Sequence, residues 1–256
     1  MSVDERVNPL MAGTTSTGAG ARTIASRRER LFYTGMAVAI TITVFVGFAP
    51  TYYLRPYFGT QPLAPLLHLH GLVFTSWLLL FLTQTALVAA KRTDIHRRLG
   101  LIGAVVAALM VVVGTLTAII RTKQAAVSSG EVAPLIFLTI PLVDMLVFPS
   151  LVGAGFYFRR RADTHKRLML LATISILPAA IARLPFALLQ AGPPAFFGLT
   201  DLFIAACLLY DLLARGHIHR ATLWGGLLIV ASQPLRLLIG STRAWLAFAT
   251  WLTSWF

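Results

Sequence analysis

Cysteine is almost missing from this chain: Cys207 stands alone among 256 residues. One thiol excludes an intrachain disulfide and a cluster of thiolates on a metal. Charge is scarce as well, at 12% of residues against about 25% in an ordinary soluble domain. Acid is the scarcer sign, with nine Asp and Glu against 22 Lys and Arg. Long stretches carry no charge at all, which excludes a soluble enzyme, a disordered chain and a nucleic-acid-binding domain. The net charge of +13 does not mark a nucleic-acid partner, because the basic residues fall in short stretches between apolar runs. The only lysines are Lys91, Lys123 and Lys166, all between such runs. Retinal, which needs a lysine within a spanning helix for its Schiff base, is therefore excluded.

Apolar residues fill the chain instead, at 57% with a mean hydropathy of +0.77. About 20 of them in a row cross a bilayer's hydrocarbon. Seven segments qualify: 31–54, 66–90, 99–120, 133–158, 167–190, 196–214 and 221–240. The expected fold is all-α, a polytopic bundle of seven transmembrane helices. Residues 1–30, rich in Ser, Thr, Gly, Ala and Arg, read as a mobile basic tail. The string Ser26-Arg27-Arg28-Glu29-Arg30-Leu31-Phe32 is similar to a twin-arginine export signal. The run that follows is too long for a signal and lacks a small-residue cleavage site, so the string reads as the basic flank of a first anchor. The Trp-rich segment 243–256 is too short for an ordinary span and is expected at the interface, with an eighth span as the alternative.

With the N-terminus inside, sixteen Lys and Arg fall in cytoplasmic stretches and four (Arg55, Arg121, Lys123, Arg243) outside. That bias predicts a cytoplasmic N-terminus and an external C-terminus. The expected location is a bacterial inner membrane, with the basic loops against anionic headgroups.

Three predicted cytoplasmic loops share a spacing: Arg92-x-x-x-His96-Arg97, Arg161-x-x-x-His165-Lys166 and Arg215-x-x-x-His219-Arg220. The first two agree further, with Asp94-x-His96-Arg97-Arg98-Leu99 against Asp163-x-His165-Lys166-Arg167-Leu168, 69 residues apart. The pattern suggests one helix followed by three repeated helical hairpins. Two readings of the motif stand side by side. In one, Asp94 or Thr93, and Asp163 or Thr164, cap helix N-termini. In the other, His96, His165 and His219 converge as ligands of haem b or a divalent metal, or as a proton relay, with the arginines holding an anion.

A second polar set lies in the expected outer half: His68, His70, Asp144, Arg183, Asp201, Gln233 and Arg236. Charges in hydrocarbon are costly unless paired, so these should face the bundle interior. His70, Phe74, Trp77, Phe81 and Gln84 follow a 4-3-4-3 spacing and form one helix face; His68 points away from it. Two buried pairs, for instance Asp144 with Arg183 and Asp201 with Arg236, account for the charges. Alternatively the set lines a polar cavity, with His70, Asp144 and Asp201 as metal ligands or proton carriers beside Gln84, Arg183, Gln233 and Arg236. Pro141, Pro149, Pro178, Pro185 and Pro234 are expected to kink their helices there.

The run LHLHGLVFTSWLLLFLTQTALVAAKRTDIHRRLG, with THKRLMLLAT and TLWGGLLIVASQPLRL, resembles a set of uncharacterised bacterial multi-pass membrane proteins over most of residues 31–250. His96-Arg97-Arg98-Leu99-Gly100 is its most specific part. The resemblance implies an inner-membrane helical bundle and no activity. A weaker similarity, to cytochrome b561-type haem bundles, implies histidines on successive helices. The outer layer here has only His68 and His70, both on one helix, so one haem near the inner face fits and two stacked haems do not. Three functions follow: a haem- or metal-binding redox or assembly protein using the loop histidines; a transporter or sensor of a small polar solute or proton; and a non-catalytic subunit with a protein partner.

Overall fold

The computed structural model describes residues 15–59 and 62–256, with the backbone alone for 15–26 and 190. All regular structure among the described residues is helical. The helices are α1 (Thr15–Phe48), α2 (Pro65–Ala89), α3 (Thr93–Ser129), α4 (Ala133–Phe137), α5 (Thr139–Tyr157), α6 (Ala162–Ser175), α7 (Pro178–Ile181), α8 (Pro193–Arg215), α9 (Arg220–Gly240) and α10 (Arg243–Ser254). Six stretches are long and apolar enough to cross a membrane: Arg27–Tyr53, Pro65–Ala89, Thr93–Ser129, Ala133–Tyr157, Pro193–Arg215 and Arg220–Gly240.

α1 begins at Thr15, so helix reaches into the stretch expected to be tail. The first fourteen residues of that expectation lie outside the described part.

The segment 167–190, expected as one continuous span, is broken. α6 stops at Ser175 because Pro178 has no N–H to offer the Ile174 carbonyl and its ring crowds that oxygen. After the short α7 comes Pro185, and then a 3₁₀ turn over Ala187–Ala191. This interrupted segment is nevertheless the centre of the bundle. Leu170, Leu171, Ile174, Leu177, Ala180 and Ile181 are all buried, and α6 packs against α5, α8 and α9.

Chain reversals are tight. α2 ends in a Schellman motif, in which Arg92 N–H bonds Leu87 O at 2.8 Å and Lys91 N–H bonds Val88 O at 3.0 Å. Lys91 takes the left-handed conformation (φ 61°) that such a motif requires, a position more often filled by glycine. α2 then lies along the whole of α3's first half, one of the two most extensive helix pairs in the fold.

α10, the Trp-rich segment, is packed onto the bundle. It packs on α3 and α4, buries Ala249 and Thr253, and donates from Trp245 Nε1 to Leu135 O at 2.9 Å. Its 12 residues rise only about 18 Å, too little for a full crossing.

Candidate functional site

The first two histidine motifs open their helices in the same register. Arg92 and Arg161 each precede the first helical residue, and His96 and His165 each stand fourth in the helix. The expected capping is absent: no side chain caps either N-terminus. The aspartates turn to cations, which are stronger partners than a backbone N–H. Asp94 lies 3.6 Å from Arg92. Asp163 binds Lys166 at 2.5 Å and Arg215 at 2.7 Å. The hydrogen bond from Arg215 holds the Asp163 carboxyl far below the usual carboxylate range, with Lys166 reinforcing it against some burial. Arg215, the first residue of the third motif, thus docks on the second.

His96 and His165 come together at this end of the bundle, with ring centres 6.1 Å apart and planes at 83°. His165 Nδ1 lies 2.8 Å from Gly155 O on α5. A carbonyl only accepts, so neutral His165 carries its proton on Nδ1 and presents a bare lone pair on Nε2. This is the arrangement of a metal-ligating histidine braced from behind. His96 Nδ1 is sealed from solvent with no partner. Gln84 Nε2 on α2 donates to His96 O at 3.1 Å.

His219 stands elsewhere. It is the N-cap of α9, where its Nδ1 accepts from Ala221 N–H at 3.1 Å. Its own N–H donates to Asp211 Oδ2 at 3.1 Å. Burial lowers its imidazole pKa, and nearby Arg167 lowers it further. The expected three-histidine convergence therefore reduces to a pair, because His219 sits at a cap instead of one turn inside its helix. Among the described residues, no group of three or more His, Cys, Asp or Glu could hold a metal ion.

Of the outer polar set, Asp144, Gln233 and Arg236 are buried while His68 and Arg183 are exposed, and the pairing differs from the expected one. Asp144 Oδ1 accepts from Arg236 Nη1 at 2.5 Å, not from Arg183. Asp201 Oδ1 accepts from Gln233 Nε2 at 2.7 Å, not from Arg236. Arg236 also donates to Ser232 Oγ at 2.9 Å, and its guanidinium lies over the Phe197 ring. Arg183, past the break at Pro178, is exposed, donates to Ala179 O at 2.5 Å and lies over Phe48. His70, Asp144 and Asp201 thus form no ligand set. The His70–Gln84 face of α2 does point into the bundle: His70 stacks on Phe74, and Trp77 is buried against Phe148 and donates to Thr173 Oγ1 at 3.3 Å. His68 is exposed, near Tyr52. A groove of about 380 Å³ does exist, but apolar residues of α3, α5 and α10 line it, including Val111, Met145, Trp245 and Phe248.

The sequence reading missed the pairing of Arg167 with Asp211. Arg167 is 3% exposed and Asp211 1%. Thr222 Oγ1 adds a third donor to that carboxylate at 2.5 Å. Arg167 stands at the edge of the expected span 167–190, where a basic residue reads as a flank facing the loop. The signal available was its position five residues into a helix whose next residues are all apolar.

No family model, no curated protein and no solved structure matches the chain.

Proposed function

We propose that this is a seven-crossing bacterial inner-membrane protein that binds one haem b near its cytoplasmic face, with His96 and His165 as the two iron ligands. The observation that carries the reading is the His96–His165 pair. Two imidazoles that share one metal atom, each nitrogen about 2 Å from it, have ring centres about 6 Å apart, and these stand at 6.1 Å. The brace from Gly155 O leaves the His165 Nε2 lone pair free.

Ligand count separates haem from a bare divalent ion. A zinc-like ion needs about four protein or water ligands, and no third His, Cys, Asp or Glu among the described residues joins the pair. Haem iron brings four nitrogens of its own and asks the protein for two. Bound haem would supply one-electron chemistry tuned by its axial ligands. The chain's part is to hold two neutral imidazoles and to meet two propionate charges. Arg97, Arg98 and Arg161 are exposed beside the histidines and suit that second task.

The seventh crossing in this reading is the interrupted α6–α7 segment. Irregular backbone is tolerated at membrane depth where protein surrounds it, and this segment is the most enclosed in the fold. The sixteen-to-four distribution of Lys and Arg supports a cytoplasmic N-terminus. The histidine pair then lies level with the anionic headgroups of the inner leaflet.

The test is an absorption spectrum and haem assay on protein purified in mild detergent, before and after addition of haemin. A Soret band that shifts on reduction is expected. His96→Ala and His165→Ala should abolish it and His219→Ala should keep it. A folded wild-type protein that neither carries nor takes up haem overturns the proposal.

A further inference from the structure

His165 and His96 differ in one respect. The first has its Nδ1 held by a carbonyl; the second has its Nδ1 buried with no partner. A complementary orphan belongs to the residue already touching His96. Gln84 Oε1 is likewise sealed from solvent and unpartnered, while Gln84 Nε2 donates to His96 O. The amide cannot be reversed, since its oxygen would then face a carbonyl oxygen. An acceptor that needs a hydrogen and a ring nitrogen that needs a partner thus belong to two residues in contact. Gly100, one turn beyond His96, lies against the same amide: a Cβ there would stand in ordinary contact, 3.7 Å from Gln84 Nε2.

We infer that Gln84 is the positioning residue of His96, its Oε1 accepting the Nδ1–H of the imidazole and turning Nε2 toward His165. A rotation of the amide about its existing bond to His96 O, or of the ring, would bring the two atoms together. Both histidines then carry the same tautomer, each braced by an oxygen of a neighbouring helix: Gln84 of α2 for His96 and Gly155 of α5 for His165. The tautomer follows from the two orphaned atoms alone. Its consequence for haem rests on the reading above.

Two measurements on full-length protein in detergent test this. The first is ¹⁵N NMR of histidine-labelled haem-free protein, with the His96 signals identified by their loss in His96→Ala. Wild type should show His96 protonated on Nδ1, Gln84→Leu should shift it toward the Nε2–H form, and Gln84→Glu should restore the wild-type pattern. The second is haemin titration with a redox midpoint. Loss of such a brace costs about 10–100-fold in affinity, so Gln84→Leu should weaken binding by that factor and raise the potential, while Gln84→Glu should recover both. A wild-type His96 protonated on Nε2 overturns the inference, even if Gln84→Leu fails to fold. So does a folded Gln84→Leu protein with unchanged tautomer and haem affinity, an outcome that leaves the haem reading standing. Wild type with the expected tautomer but no haem uptake upholds Gln84's role and defeats the haem reading instead.

Discussion

Arg167 closes on Asp211 inside the bundle: Nε reaches both carboxylate oxygens, at 3.0 and 3.2 Å, and Nη2 binds Oδ1. The pair ties α6 to α8, and Thr222 and the His219 N–H bring α9 to the same carboxylate. Removing one partner strands a buried charge, at a cost of about 3–5 kcal/mol. Arg167→Met and Asp211→Leu should each lower thermal stability in detergent by that order. The double variant should regain only part of the loss, because the Thr222 hydroxyl and the His219 N–H stay unpaired. Strictly additive losses would show that the two residues are not coupled.

Backbone approach fixes where α1 meets α7. A Cβ on Gly47 would lie 2.2 Å from Ala180 O, whereas one on Gly35 would meet nothing within 4 Å. Gly47→Ala should destabilise by about 1–3 kcal/mol, the usual penalty for overpacking. Gly35→Ala should be neutral or slightly stabilising, since it sits in mid-helix. Unfolding midpoints of the two variants give the comparison.

His219 acts as a cap, and capping side chains contribute about 0.5–2 kcal/mol. His219→Ala should cost that much and His219→Asn much less. Equal losses in both would point away from the Ala221 N–H bond as the reason for the residue.

Acid sensitivity should centre on Asp163. Its carboxyl is held far below the ordinary range by Arg215, so its folded state binds a proton less readily than the unfolded chain does. The stabilisation is complete above the unfolded value of about 3.9 and is lost as pH falls through the depressed folded value. Wild type should therefore lose stability below about pH 4, and Asp163→Asn, weaker at neutral pH, should lose less over that window. Melting curves between neutral pH and pH 3 read both. An Asp163→Asn curve parallel to wild type would remove Asp163 from the account.

Depth was legible in the sequence and azimuth was not. Counting about 1.5 Å per residue from each loop placed Asp144, Asp201, Gln233 and Arg236 in one half of the bundle, and they do meet there. Which of them pair depends on which helices are neighbours. α5 packs on α9, so Asp144 meets Arg236. Arg183 lies beyond the break at Pro178, where the helical count loses its phase. The prolines announced that break, but only packing shows that the broken segment occupies the middle of the fold. Similarly, the spacing of His96 and His165 made them equivalent candidates, and the brace on His165 is a backbone carbonyl that no residue type advertises. His219 shared the spacing, yet its helix starts one residue after it.

The left-handed Lys91 turn bears on how the protein is made. Only Ala90, Lys91 and Arg92 separate α2 from α3, and two bonds lock the reversal. During synthesis the two helices have no slack with which to enter the bilayer one after the other in independent positions. The pair is one unit of assembly, a closed hairpin with Lys91 and Arg92 at its tip.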